Sequence, residues 1–148
     1  MIDIESFTGN HVYIDANLFI YAVEGFKKYA SLCDHIFRSI EDMKIHAVTS
    51  ELTLSEVLVH PIKNGDQRAI ASYEALVKSR YDLEVVPITR DVLRKSAALR
   101  ASVGLKLPDA IHVATAQVYG SQFIFTADAA LKTPDTIKLV TLDELLKA

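Results

Sequence analysis

The sequence predicts an α/β protein with a parallel sheet of five strands covered by helices on both faces. Three observations predict it. Short runs rich in Val, Ile, Phe and Tyr alternate with segments whose apolar residues recur at helical spacing. Those intervening segments are long enough to make the right-handed crossovers that parallel pairing requires. No repeat, low-complexity tract or Pro/Gly/Ser-rich linker interrupts the 148 residues, so a single domain over 1–148 is expected.

Each element follows from its own residues. His11 to Asp15 (HVYID) reads as the first strand, followed by a helix that starts near Asn17 and breaks around Gly25. Leu32, Ile36, Phe37 and Ile40 stand at helical spacing within 29–43, and Ile45 to Val48 reads as the second strand. Thr49 or Ser50 caps the next helix, which carries Leu52, Leu54, Val57 and Leu58 and is expected to end near Pro61. A further helix is expected from Gln67 to Ser79, and Leu83 to Ile88 is the third strand. Thr89 caps a helix running to about Val103, where Gly104 can take the left-handed closing conformation. Pro108 suits the first turn of the helix Asp109 to Tyr119, which Gly120 ends. Gln122 to Thr126 and Ile137 to Leu142 are the fourth and fifth strands, with a short tail helix.

Bulk properties exclude several classes. Half of the residues are apolar and the mean hydropathy is +0.19, as expected of a globular chain. No apolar stretch approaches the roughly 18 residues that span a bilayer, and the start MIDIESFTGN has neither a basic nor an apolar leader region, so a cytoplasmic protein without membrane contact is expected. Cys33 is the only cysteine, forms no internal disulfide and is expected in the core. A net charge of −3 and a pI near 5.9 are unlike a domain that holds nucleic acid by charge alone. Any nucleic-acid role must rest on a local site.

The local site is suggested by carboxylates. Ligands of open parallel sheets bind outside the carboxyl ends of the strands. Asp15 closes the first strand, Asp128 follows the fourth, and Asp109 opens the helix just upstream of it. Glu56 lies about two turns into the helix after the second strand, and its longer side chain can return to the same edge. Each has a plainer role available: Asp109 favours a helix dipole, Asp15 caps a helix, Asp128 makes a turn. Four carboxylates about 5 Å apart repel pairwise by about 3 kcal/mol at an effective dielectric of 20, which calls for a cation. Oxygen ligands without Cys or His partners point to Mg²⁺ or Mn²⁺.

Four blocks carry a family resemblance: YIDANLFIYA at Tyr13 to Ala22, SELTLSEVL at Ser50 to Leu58, LPDAIHVATA at Leu107 to Ala116 and FTAD at Phe125 to Asp128. In this order and spacing they resemble the PIN domain nucleases, especially the VapC-type toxins of toxin-antitoxin pairs. The resemblance implies a three-layer α/β/α sandwich, Mg²⁺ or Mn²⁺ dependence and endonucleolytic cleavage of RNA. It implies that Asp15, Glu56, Asp109 and Asp128 are the family's four acids in order, as metal ligands and reacting groups. Asn17 and Thr126 match the polar residues that orient metal-bound water or hold the carboxylates. A small antitoxin and a homodimer are the implied partners. One departure is Ala127, where many members carry Asn, followed by Ala129 and Ala130.

Other residues rank lower. Glu51 rivals Glu56 but sits in a first helical turn, where an acid is ordinary. His112, one turn after Asp109, reads first as a buried hydrogen-bonded imidazole. Arg90, Arg94, Lys95, Arg100 and Lys106 form the densest basic region, where Arg94, Lys95, Arg100 and Lys106 are weak candidates for RNA phosphate contact. Tyr21, Phe26 and Tyr29 suit base stacking, a partner groove or the core. Two rival functions stay open. A phosphatase with a nucleophilic aspartate after strand one usually needs a second Asp where this chain has Asn17. A non-catalytic PIN-fold interaction module is the other, and the complete acid quartet speaks against it.

Overall fold

The computed structural model describes residues 2–147. Five strands, β1 (His11–Ile14), β2 (His46–Ser50), β3 (Leu83–Val86), β4 (Phe123–Thr126) and β5 (Lys138–Thr141), form one sheet in the order β3-β2-β1-β4-β5. Every pairing is parallel. The seven helices described are α1 (Ala16–Glu24), α2 (Ala30–Glu41), α3 (Glu51–Asn64), α4 (Gln67–Leu76), α5 (Arg90–Val103), α6 (Leu107–Val118) and α7 (Leu142–Leu146). A short 3-10 turn, Ile4–Phe7, precedes β1.

Strand alternation divides the core into two. Val12, Ile14, Ala47, Val85, Phe125 and Val140 face one way and pack with residues of α1, α2, α3, α4 and α7. Tyr13, Val48, Val86 and Ile124 face the other way against Val113 and Ala116 of α6. Val92 of α5 joins Ile111 and Ala114 beneath it. The strands are thus buried on both faces, which is why they read as apolar runs and not as alternating ones. The result is the expected three-layer α/β/α sandwich.

Termini of the elements follow the residues. Gly25 and Gly104 close α1 and α5 at φ 65° and 71°. Ser50, and not Thr49, caps α3 by accepting from the Leu52 N–H at 3.0 Å. Pro61 does not end α3: its ring is buried, the helix continues to Asn64, and Gly65 closes it at φ 64°. Proline removes one helix hydrogen bond, and here the following turn and the glycine cap carry the helix on. Several expected elements are shorter than their apolar pattern, including β4, which starts at Phe123, and β5, which loses one residue at each end. α4 stops at Leu76, where Val77 leaves helical geometry, and β3 stops at Val86, before Pro87.

Position β1 is decisive for the site. The chain builds outward from β1 through β2 to β3 on one side and through β4 to β5 on the other. The crevice between the carboxyl ends of β1 and β4 is therefore the point where strand order reverses, the usual ligand position of such sheets.

Candidate metal centre

Asp15 leaves the end of β1 in extended conformation and caps α1, its Oδ1 accepting from the Ala16 N–H at 2.8 Å. Its other oxygen, Oδ2, accepts from the Thr126 hydroxyl at 2.6 Å. Asn17, in the first turn of α1, reaches the same crevice: its Nδ2 lies 3.5 Å from Asp15 Oδ2 and 3.4 Å from Thr126 Oγ1. Asn17 Oδ1 in turn accepts from the Ala127 N–H at 3.2 Å. This contact runs through the backbone N–H of residue 127 and needs no side chain there.

Thr126 is fully buried at the end of β4 and serves a second partner, accepting from the Asp128 N–H at 3.1 Å. Asp128 itself is exposed, and its Oδ1 accepts from the Ala130 N–H at 2.9 Å. One hydroxyl thus ties the backbone beneath Asp128 to the carboxylate of Asp15. Thr49 makes the matching link on the other side, donating to the Ile14 carbonyl at 2.8 Å and sharing a 2.7 Å hydrogen bond with Thr53 of α3.

Asp109 sits in the first turn of α6, partly buried. Burial raises its pKa above the ordinary 3.8, and the charges of Asp15, Asp128 and Glu56 raise it further, against the opposing effect of His112. Asp15, Asp128 and Glu56 therefore each lie within electrostatic reach of Asp109. Among the described residues, however, no three His, Cys, Asp or Glu side chains already stand close enough to hold an ion as they are.

Glu56 is reached by a residue that the sequence did not link to it. His112 of α6 is buried, its Nδ1 is hydrogen-bonded to the Tyr13 hydroxyl and its Nε2 to Glu56 Oε1. The same Nε2 lies 3.9 Å from Asp15 Oδ1. Burial opposes a charge on His112, but the Glu56 hydrogen bond and the charges of Asp15, Glu56 and Asp109 outweigh it and raise its pKa above 6.5. Tyr13 is fully buried, and burial first, then the Asp15 charge, keep its phenol protonated well beyond 10.0. Sequence separation hides this chain of contacts, since Tyr13 and His112 stand 99 positions apart and His112 and Glu56 stand 56 apart.

Of the lower-ranked residues His112 alone joins the crevice contacts among the described residues; the others fall outside them. Glu51 is exposed at the start of α3. Arg94, Lys95, Arg100 and Lys106 are all exposed, and Arg94 pairs with Asp91 at 3.1 Å. Tyr21, Phe26 and Tyr29 stack on one another with centroids 4.9 to 5.8 Å apart, and Tyr29 donates to Asp143 at 2.7 Å.

The donor set fits a hard divalent cation. The acids offer carboxylate oxygens, the nearest histidine spends both ring nitrogens on Tyr13 and Glu56, and no protein donor satisfies Asp109 among the described hydrogen bonds. Cations of that kind would relieve the mutual repulsion that raises the Asp109 pKa.

Comparisons with known proteins bear on the family and the fold. Residues 12–136 match the family model of the PIN domain. Among solved structures, a toxin-antitoxin complex from Klebsiella pneumoniae is 24% identical, with 88% of this chain and 97% of that chain covered at a TM-score of 0.61. VapBC2 from Rickettsia felis, bound to a DNA fragment from its promoter, is 12% identical, with 88% and 98% covered at 0.69. VapC20 from Mycobacterium tuberculosis, a toxin that cleaves the sarcin-ricin loop, is 15% identical, with 81% and 92% covered at 0.68. At these identities they share the fold. No curated protein sequence matches the chain.

Proposed function

This chain belongs to the PIN domain family, and on that premise we propose that it is a divalent-metal-dependent endoribonuclease acting on single-stranded or loop RNA. The observation that carries the reading is geometric: His112 Nε2 bonds Glu56 and lies 3.9 Å from Asp15 Oδ1, with Asp15 braced by Thr126 at the end of β4, while burial and the charges of Asp15, Asp128 and Glu56 raise the Asp109 pKa. Asp15, Asp109 and Asp128 would be the principal ligands of Mg²⁺ or Mn²⁺, with Glu56 as a ligand or a base. When bound, such an ion supplies an acidified water and neutralises charge developing on a phosphodiester.

The chain's own residues divide the remaining work. Thr126 and Asn17 hold the Asp15 carboxylate so that it faces the crevice. Glu56, 35% exposed, can accept a proton from a water in the crevice while His112 holds its other side. The exposed Arg94, Lys95, Arg100 and Lys106 would meet backbone phosphates, which positions RNA without reading its sequence. The toxin role and a small antitoxin belong to the same proposal, supported by the likeness to the Klebsiella pneumoniae toxin-antitoxin complex, and so do a homodimer, a cytoplasmic location and a single domain over 1–148. No helix among the described residues is long and apolar enough to cross a membrane.

The test is a cleavage assay of the full chain on mixed small RNAs with Mg²⁺, Mn²⁺ or EDTA, beside a generic phosphatase substrate. Cleavage that requires the metal and disappears in Asp15→Asn, with an unchanged circular dichroism spectrum, supports the reading. Metal-dependent activity retained in Asp15→Asn, or activity on the phosphatase substrate alone, overturns it.

A further inference from the structure

Resting on the reading above, we propose that Tyr13 and His112 form a positioning pair that fixes the Glu56 carboxylate beside Asp15. Three elements meet in this contact. Tyr13 comes from β1, two residues before Asp15; His112 from α6, three residues after Asp109; and Glu56 from α3. Glu56 has no other described side-chain hydrogen bond, and its helix packs against α6 only locally, so the imidazole is what directs the long side chain.

The hydrogen-bond chemistry leaves little freedom. An ionised carboxylate only accepts, so the proton of the His112–Glu56 bond belongs to Nε2. In the neutral ring, Nδ1 then carries the lone pair and accepts from the Tyr13 O–H; in the imidazolium the Tyr13 bond reverses direction and Nε2–H still donates to Glu56. The Glu56 carboxylate therefore sets the tautomer, and the Tyr13 hydroxyl, bonded to Nδ1 in either charge state, holds the ring orientation that presents Nε2 to the crevice. Because Nε2 also stands 3.9 Å from Asp15 Oδ1, the same ring sets the separation of the two acids. A second partner that fixes a histidine so that its other nitrogen serves a metal site is worth about 10- to 100-fold in metal affinity or activity when removed. Here the fixed group is one step further out, a histidine that orients the acid.

Tyr13→Phe deletes only the hydroxyl and keeps the buried ring. Mn²⁺ binding by calorimetry and RNA cleavage are measured on the parent, Tyr13→Phe, Glu56→Gln and the double variant, with melting temperatures in EDTA as the control for packing. The expected result is a loss of about 10-fold or more in Mn²⁺ affinity or kcat for Tyr13→Phe, with KM for RNA within about twofold. In the Glu56→Gln background the same substitution costs less than about twofold, because its effect runs through that carboxylate. Equal losses in both backgrounds, or a Tyr13→Phe protein with parental Mn²⁺ affinity and kcat, overturn the proposal. If Tyr13→Phe does not fold, His112→Asn replaces it in the same cycle with the same expected and overturning results. A parent that binds Mn²⁺ but cuts no RNA rejects the nuclease reading alone, since the binding cycle still decides the pair. A parent that neither binds Mn²⁺ nor cuts RNA overturns both.

Discussion

The Thr126 hydroxyl donates to Asp15 Oδ2 at 2.6 Å, joining the ends of β1 and β4 across 111 positions of sequence. Thr126 Oγ1 also accepts from the Asp128 N–H. Thr126→Val removes both bonds while nearly keeping the volume, leaving a partly buried carboxylate oxygen and a backbone N–H to find other partners. We expect a loss of about 1–3 kcal/mol in urea unfolding and a fall of about 10- to 100-fold in metal-dependent cleavage. Thr126→Ser should recover most of both. Equal damage by Ser and Val would mean that the methyl group, and not the hydroxyl, is what matters.

Asp109 gives a prediction with a definite sign. Its folded-state pKa lies above the ordinary 3.8, through burial first and then the charges of Asp15 and Asp128. Its contribution to stability is thus fully present below about 3.8 and is lost as pH rises through the raised value. In EDTA at pH 7, Asp109→Asn should therefore melt above the parent, by about 1–2 °C after solvent screening, and the gap should close on going below pH 4. Mn²⁺ should raise the parent's melting temperature and leave the variant nearly unmoved. A variant less stable than the parent at pH 7 would contradict the electrostatic account.

Cys33 is fully buried, and burial, with the Asp34 charge behind it, pushes its thiol up to about 12. The nucleophilic thiolate is then negligible at pH 8. A disulfide-exchange reagent such as DTNB should leave the native protein unlabelled over minutes and titrate one thiol once denaturant is added. Rapid labelling without denaturant would show that α2 opens readily.

Gly25 closes α1 at φ 65°, and a Cβ built there meets nothing within 4 Å. Gly25→Ala therefore isolates the conformational cost of the left-handed region, about 1 kcal/mol, or 2–4 °C in a chain of this size. An unchanged melting temperature would place the helix end under tertiary rather than local control.

The sheet was legible because its strands are buried on both sides and so appear as apolar β-branched and aromatic runs. Caps at Ser50, Thr89, Gly25 and Gly104 were legible because their residue types have local reasons to be there. Pro61 misled because the proline rule is local, whereas the buried ring and the Gly65 closure belong to the folded helix. The 3-10 turn at Ile4–Phe7 is too short to show any period. At the crevice, acids at strand ends could be named from sequence, and Asn17 and Thr126 from a family pattern. The Tyr13–His112–Glu56 contacts could not, because nothing in a line of residues reports which faces of β1, α3 and α6 turn toward one another.

Strand order has a consequence for how such a protein is made. β4 lies beside β1 in space but far behind it along the chain, so Asp15 has no threonine to brace it until residue 126 has left the ribosome and paired. Synthesis delivers Asp15, Glu56 and Asp109 first, and the Thr126 brace and Asp128 last. On the nuclease reading proposed above, a copy whose translation stops before β4 lacks both the brace on Asp15 and Asp128 itself, and is expected to cut no RNA.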